Sequence, residues 1–187
     1  MLFLLFIAVI NVQRAIELVI ARKNEIWMKA RGALEFGREH YPWIVLIHVL
    51  FFAGYISEVI LLDKGLSPFW PILLVLFLLT QAGRLWALFS LGRFWNTKII
   101  VLPGANVIRR GPYRFLKHPN YAIVAAEFIV IPFMFTAYIT AIVFTLLNII
   151  ILSIRIPAEE KALRELTAYE DAFLRIKEEP NKDIKKV

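Results

Sequence analysis

Long apolar runs, broken only by isolated polar residues, dominate the pattern along the chain. Residues 1–20 are apolar apart from Asn11, Gln13, Arg14 and Glu17, about the ~20 residues that one helical crossing of a bilayer takes. A second run extends from Pro42 to Leu62 and a third from Pro68 to Leu91. Arg84 interrupts the third, and its long side chain is expected to snorkel toward the interface. From Pro119 to Ile154 the one formally charged side chain is Glu127. That stretch is too long for one helix and too short for two full spans with a loop. It predicts a tight helical hairpin turning within 132–140, and five membrane helices in all. After Pro157 the pattern changes. Leu163, Leu166, Tyr169, Phe173 and Ile176 recur every three to four residues among Glu and Lys, which predicts an amphipathic helix of about five turns starting at Pro157. The expected fold is all-α and membrane-integral, one domain over 1–187. Three spans fill 1–91, and a loop, the hairpin and the cytoplasmic amphipathic helix fill 92–187.

Charge adds an orientation. The loop at 21–41 carries Arg22, Lys23, Lys29, Arg31 and Arg38, and residues 83–120 carry seven cations with no Asp or Glu. The loop between the second and third runs has only Asp63 and Lys64. The positive-inside rule then puts the N-terminus outside, with 21–41, 92–118 and the C-terminal segment in the cytoplasm. The first run lacks a basic leading region and an Ala-x-Ala site, so a retained helix is expected rather than a cleaved signal peptide. Hydrophobic residues make up 59% of the 187 residues, above the roughly 45–50% of soluble domains, which excludes an ordinary soluble core. The net charge of +7 is read as contact with anionic membrane lipids rather than with nucleic acid.

Composition also limits the chemistry. With no Cys and only His40, His48 and His118, there is no thiolate site or His-Glu-x-x-His helix, and no metal is expected. No two of the eight glycines stand as Gly-x-Gly, which excludes a dinucleotide fingerprint and a P-loop. Two polar clusters remain. The segment Lys98–Tyr121 holds three prolines and two glycines, so its backbone polar groups need water, protein or ligand as partners. It reads either as a wet cationic loop or, through Tyr113, His118, Asn120 and Tyr121, as a clasp for a purine and a ribose. The second cluster is Arg155, Glu159 and Glu160. Arg155 and Glu159 are either a four-residue ion pair or, set by a bend at Pro157, two groups facing one cavity.

These residues resemble a known family. Gly111-Pro-Tyr113, then His118-Pro-Asn-Tyr121, then Arg155 with Glu159-Glu160 are similar to the C-terminal signature of isoprenylcysteine carboxyl methyltransferases and related phospholipid methyltransferases. These are integral-membrane enzymes that use S-adenosylmethionine without a Rossmann domain. The resemblance is strongest over about 90–176, and the segment Ala30–Pro42 resembles the small bacterial members, which implies a bacterial plasma-membrane protein with its site facing the cytoplasm. It implies that Ala105, Asn106, Val107, Ile108, Tyr113, His118, Pro119, Asn120, Tyr121 and Glu159 line the cofactor site, with Lys98 as a further contact. Arg155 would touch the methyl acceptor, and Arg155, Glu159 and Glu160 form the expected catalytic set. Lys117 departs from the pattern, since Arg commonly precedes the His-Pro pair, and Lys offers a point charge rather than a fork.

The implied reaction is methyl transfer from a sulfonium to an anionic oxygen of a lipophilic acceptor, either an isoprenylcysteine-like carboxylate or an alkylpyrone-like enol. Opposite charges cancel along that path, so alignment and desolvation supply most of the acceleration. Two other readings compete. A membrane reductase related to steroid 5α-reductase would use NADPH, with Arg109 and Arg110 near its extra phosphate. A non-catalytic scaffold would account for the spans but not for the two polar clusters.

Overall fold

The computed structural model describes residues 1–170 and 172. Five α-helices carry the chain: α1 (Leu2–Lys29), α2 (Tyr41–Leu61), α3 (Trp70–Leu91), α4 (Pro119–Phe133) and α5 (Tyr138–Leu166). Four of them, α1, α2, α3 and α5, are long and apolar enough to cross a membrane, as in a multi-pass membrane protein. The fifth, α4, has 15 residues. At about 1.5 Å per residue it rises only ~22 Å, short of the roughly 30 Å hydrocarbon core. The predicted five spans therefore reduce to four of spanning length plus one shorter apolar helix.

Several boundaries differ from the sequence expectations for local reasons. Helix α1 continues nine residues beyond the predicted span, because 21–29 carries its own helical pairs. Glu25 bonds Lys29 Nζ at 2.6 Å one turn on, and Arg22 Nη1 reaches Glu25 at 3.1 Å; such spacings favour helix. Pro157 does not start a new helix. It lies inside α5, where it deprives the Ser153 carbonyl of its helical donor, but both residues are exposed and the helix is anchored on both sides of the gap. Arg155 is held by α4 on one side, and Ala162 packs on Ile99 and Val101 on the other. Helix α5 ends at Leu166, where Thr167 turns extended at φ −140° and ψ 170°, and helical backbone resumes at Tyr169, so the predicted amphipathic stripe is interrupted. Of that stripe, Phe173 and Ile176 lie outside the described residues.

The segments read as two loops meet in a small antiparallel ladder. Strand β1 (Leu34–Phe36) pairs with β2 (Ile99–Val101) in the register Leu34↔Val101, Glu35↔Ile100 and Phe36↔Ile99. The β-branched run Ile99-Ile100-Val101 suits a strand, and all three residues are buried. This ladder covers one end of the helical bundle. Toward the other end, Phe51, Tyr55, Phe128 and Phe144 form an aromatic core, with Phe51 and Phe128 centroids 4.7 Å apart. There the chain turns between α4 and α5 at 134–137, inside the predicted interval. The turn is tied down by Glu58 of α2, whose carboxylate accepts from Thr140 N–H and Thr140 Oγ1, each at 2.7 Å. Those donors belong to the first turn of α5, which has no intrahelical acceptors for them.

Candidate active site

Beneath the ladder a cavity of about 500 Å³ opens, lined by residues from all five helices and from 94–101. Small-molecule sites span roughly 300–1,000 Å³. Its upper end carries the polar groups of α4 and α5. Tyr121 Oη stands between the two members of the second sequence cluster: it donates to Glu159 Oε2 and accepts from Arg155 Nε at 2.7 Å. Arg155 Nη2 donates to the Thr97 carbonyl, and its guanidinium lies 5.7 Å from the Tyr121 ring centroid. Arg155 and Glu159 are therefore joined through a phenol, and both line the cavity.

The His-Pro-Asn-Tyr segment is the N-terminus of α4, with His118 at the cap position. The His118 ring stacks on Tyr121 at 5.4 Å and an interplanar angle of 22°. Its Nε2 is 3.2 Å from Glu160 Oε1, and its Nδ1 is 3.9 Å from Glu159 Oε2. Two carboxylates of α5 thus sit against the positive end of α4, where a helix dipole favours them. Glu160 also meets Arg164 Nη2 at 3.0 Å and Lys117 Nζ at 3.7 Å, and it is not part of the cavity wall. Burial, reinforced by the nearby Glu159 charge, holds the Tyr113 phenol well above its usual range, so at neutral pH it remains a hydrogen-bond donor. Tyr113 is placed by Gly111, whose φ is +58° and where an added Cβ would stand 2.0 Å from Ser90 Oγ. Only glycine lets the loop approach α3 so closely.

Lys98 also lines the cavity, but its Nζ meets Glu25 at 2.9 Å and Glu35 at 3.4 Å. Burial alone would raise the Glu35 carboxyl, yet Lys29 and Lys98 outweigh it and hold it below the ordinary range. Two groups on the wall have buried polar atoms without a hydrogen-bond partner among the described residues: Asn120 Oδ1 and Trp95 Nε1. Both atoms belong to residues of one cavity wall, though each is itself closed off from solvent-sized space.

The cavity floor contains chemistry the sequence reading missed. Arg84 does not snorkel; it is 3% exposed. Its Nη2 and Nε donate to Glu127, the latter at 3.2 Å, and its Nη1 lies 3.3 Å from Glu17. Arg14 closes the set, with Nη1 2.8 Å from Glu17 and Nη2 2.5 Å from Glu127. Gln81 adds a 2.8 Å bond to Glu127. Two guanidinium groups and two carboxylates balance in charge, which is how ionisable groups persist at membrane depth. Of the predicted cofactor residues, Lys98, Tyr113, His118, Asn120, Tyr121 and Glu159 line the cavity. Ala105, Asn106, Val107, Ile108 and Pro119 do not. The 105–108 loop lies to one side, tied by a 2.8 Å bond from Gly104 N–H to the Leu166 carbonyl, and Asn106 is exposed. Pro119 is buried in the first turn of α4. Trp95, Thr97 and Tyr41 join the wall without any motif that marked them.

Residues 73–165 match the family model of the isoprenylcysteine carboxyl methyltransferase (ICMT) family. The match, over just under half of the chain, supports membership of this family and, at the level of the family only, methyltransferase activity with S-adenosylmethionine. Among curated proteins it is similar to "Uncharacterized protein YpbQ" of Bacillus subtilis, 48% identical over 164 residues that cover 88% of this chain and 98% of the relative. It is also similar to an "Uncharacterized protein" of Haemophilus influenzae, 27% identical over 154 residues, 82% of this chain and 90% of the relative. No solved structure matches significantly.

Proposed function

We propose that this protein transfers a methyl group from S-adenosylmethionine to an anionic oxygen on a lipophilic acceptor, at the cytoplasmic face of a bacterial plasma membrane. The observation that carries the reading is one cavity with two characters: a rim bearing Arg155, Tyr121, Glu159 and Asn120, and apolar walls that include Ile44, Phe52, Val124 and Leu152. A charged cofactor suits the rim, and a lipid suits the walls.

The residues present fit that cofactor. Asn120 Oδ1 is an orphaned acceptor suited to an amine donor, Tyr113 supplies a donor, and Glu159 supplies a negative charge. When bound, S-adenosylmethionine supplies an electrophilic methyl group on a sulfonium. Glu159 accepts from Tyr121 and favours a cation at the rim. Two of the five N–H donors of Arg155 are spent on Thr97 and Tyr121; the others remain to grip an acceptor anion. A carboxylate or acidic enol arrives already ionised, so this chain need not remove a proton. The contribution of Arg155 is to orient the oxygen and of the apolar wall to strip its water. The reductase reading is less well supported: Arg110 Nε donates to the Ser90 carbonyl at 2.7 Å, Arg109 donates to the Ala172 carbonyl, and neither lines the cavity.

Membranes containing the protein, given methyl-labelled cofactor and a bacterial lipid extract, are expected to yield a labelled lipid, and Arg155→Met membranes to yield almost none. Label released as methanol by alkali identifies a carboxylate ester, and alkali-stable label an enol ether. No labelled lipid, or equal labelling by the variant, contradicts the proposal.

A further inference from the structure

The floor of the cavity is polar, although a plain hydrocarbon tail needs no polar floor. One residue there is decisive. Asn148 of α5 is 3% exposed and lines the cavity, and its side-chain amide makes no hydrogen bond among the described residues. An amide left unsatisfied at membrane depth is costly, and its open face is the cavity. Asn148 and Arg155 are seven residues apart on one helix, two turns on the same face, so about 10 Å of helix rise separates them. Between them the same stripe presents Ile151 and Leu152 to the cavity. Helix α5 is thus a ruler: polar, apolar, polar. Arg14 and Glu17 of α1 also line the cavity. The Arg14 side chain is 22% exposed, against 4% for Arg84 and for Glu127. Of the three cluster members on the cavity wall, Arg14, Glu17 and Arg84, it is the most exposed.

We propose that Asn148 is a second acceptor subsite that selects lipids bearing a hydroxyl or carbonyl oxygen about 10 Å beyond their methyl-accepting oxygen. This rests on the reading of the cavity as the acceptor's site. The amide both donates and accepts, so it recognises a neutral oxygen group. An acceptor with an unbroken hydrocarbon chain leaves the Asn148 amide unpaired, and a site built to hydrogen-bond rejects the analogue that lacks the group.

The test uses the full chain in nanodiscs and three radiolabelled probes: octadecanoic acid, and octadecanoic acids hydroxylated at the third or at the tenth carbon. With the carboxylate at Arg155, the tenth carbon of an extended chain reaches the floor and the third stays near the rim. The probe hydroxylated at the tenth carbon is expected to bind roughly three- to tenfold tighter than the unsubstituted acid, the span of one net hydrogen bond. Asn148→Leu should abolish that preference, and comparing variants cancels the probes' different partition into lipid. The Asn148 side-chain amide has no internal hydrogen bond to lose, so the variant should fold; Asn148→Ala repeats the test without filling the cavity. A preference that persists in both variants, or one equally strong for the probe hydroxylated at the third carbon, overturns the subsite. Saturable binding of all three probes with no preference also overturns it while leaving the acceptor cavity standing. Failure of every probe to bind removes the cavity as a site for carboxylate amphiphiles, and the subsite with it.

Discussion

Replacing Arg155 by lysine tests the roles at the rim, because it keeps the charge and removes the fork. In the structure the guanidinium spends one N–H on the Thr97 carbonyl and one on Tyr121 Oη, and the remaining donors serve the acceptor anion. Lysine, a point charge on a flexible stem, cannot hold Thr97, Tyr121 and an anion in one geometry. Hydrogen bonds involving a charged group contribute about 1.5–3 kcal/mol each. Loss of one such bond to the acceptor should therefore lower kcat/KM for the acceptor roughly 10- to 150-fold, at ~1.4 kcal/mol per decade. The KM for S-adenosylmethionine should change little, because Glu159 and Asn120 are untouched. Steady-state kinetics with each substrate varied in turn reads both. If kcat/KM for the acceptor stays within about twofold while only the melting temperature falls, Arg155 is a structural strut. If the cofactor KM rises as much as the acceptor term falls, the division of roles is wrong.

Tyr121→Phe removes the hydroxyl that joins Arg155 to Glu159, so both substrates should show weakened KM values in the same kinetic assay; an effect on one alone argues against the bridge. Arg84→Met leaves Glu127 and Glu17 with one cation between them and should cost about 3–5 kcal/mol, whereas Arg84→Met with Glu127→Met leaves the Arg14–Glu17 pair balanced and should recover much of it. Thermal unfolding in detergent compares them, and a double variant no more stable than the single one contradicts the charge-balance account. The Glu35 carboxyl is held below its ordinary range, so its ion pairs contribute stability fully present above the unfolded value of about 4.3, lost as the pH falls through the folded value. The melting-temperature gap between wild type and Glu35→Gln should accordingly close on acidification, and a gap that stays constant to about pH 3 refutes this.

The sequence made the long apolar helices and a turn within 132–140 legible, and it marked two polar clusters, because each is a local pattern: run length, a proline-marked break, a motif at fixed spacing. The cavity residues His118, Asn120, Tyr121, Arg155 and Glu159 were found that way. What escaped depends on contacts between distant segments. Arg84 looks like a snorkelling residue until Glu17 and Glu127 are brought to it from α1 and α4. Thr97 enters through its carbonyl, which no side-chain motif records. The ladder joins 34–36 to 99–101, and three-residue strands carry too little periodicity to declare themselves. Pro157 misled because a proline in a first turn and a proline inside a helix read alike when the anchoring partners, Tyr121 and β2, are unknown. A signal for the floor was nonetheless present: Arg14, Glu17, Arg84 and Glu127 stand alone in apolar runs, and charges that cannot reach water must find one another.

The central claim is that the rim of this cavity holds S-adenosylmethionine, and calorimetric titration of that cofactor into the purified protein tests it most directly. One saturable site per chain is predicted. Glu159→Gln should weaken it about tenfold or more, as expected for a lost charge-assisted contact, and Asn120→Leu should weaken it by a smaller factor, while Asn106→Ala, in the loop beside the cavity, should leave it unchanged. Absence of saturable binding to the wild type, or equal affinity in Glu159→Gln and Asn120→Leu, would contradict the assignment of the rim.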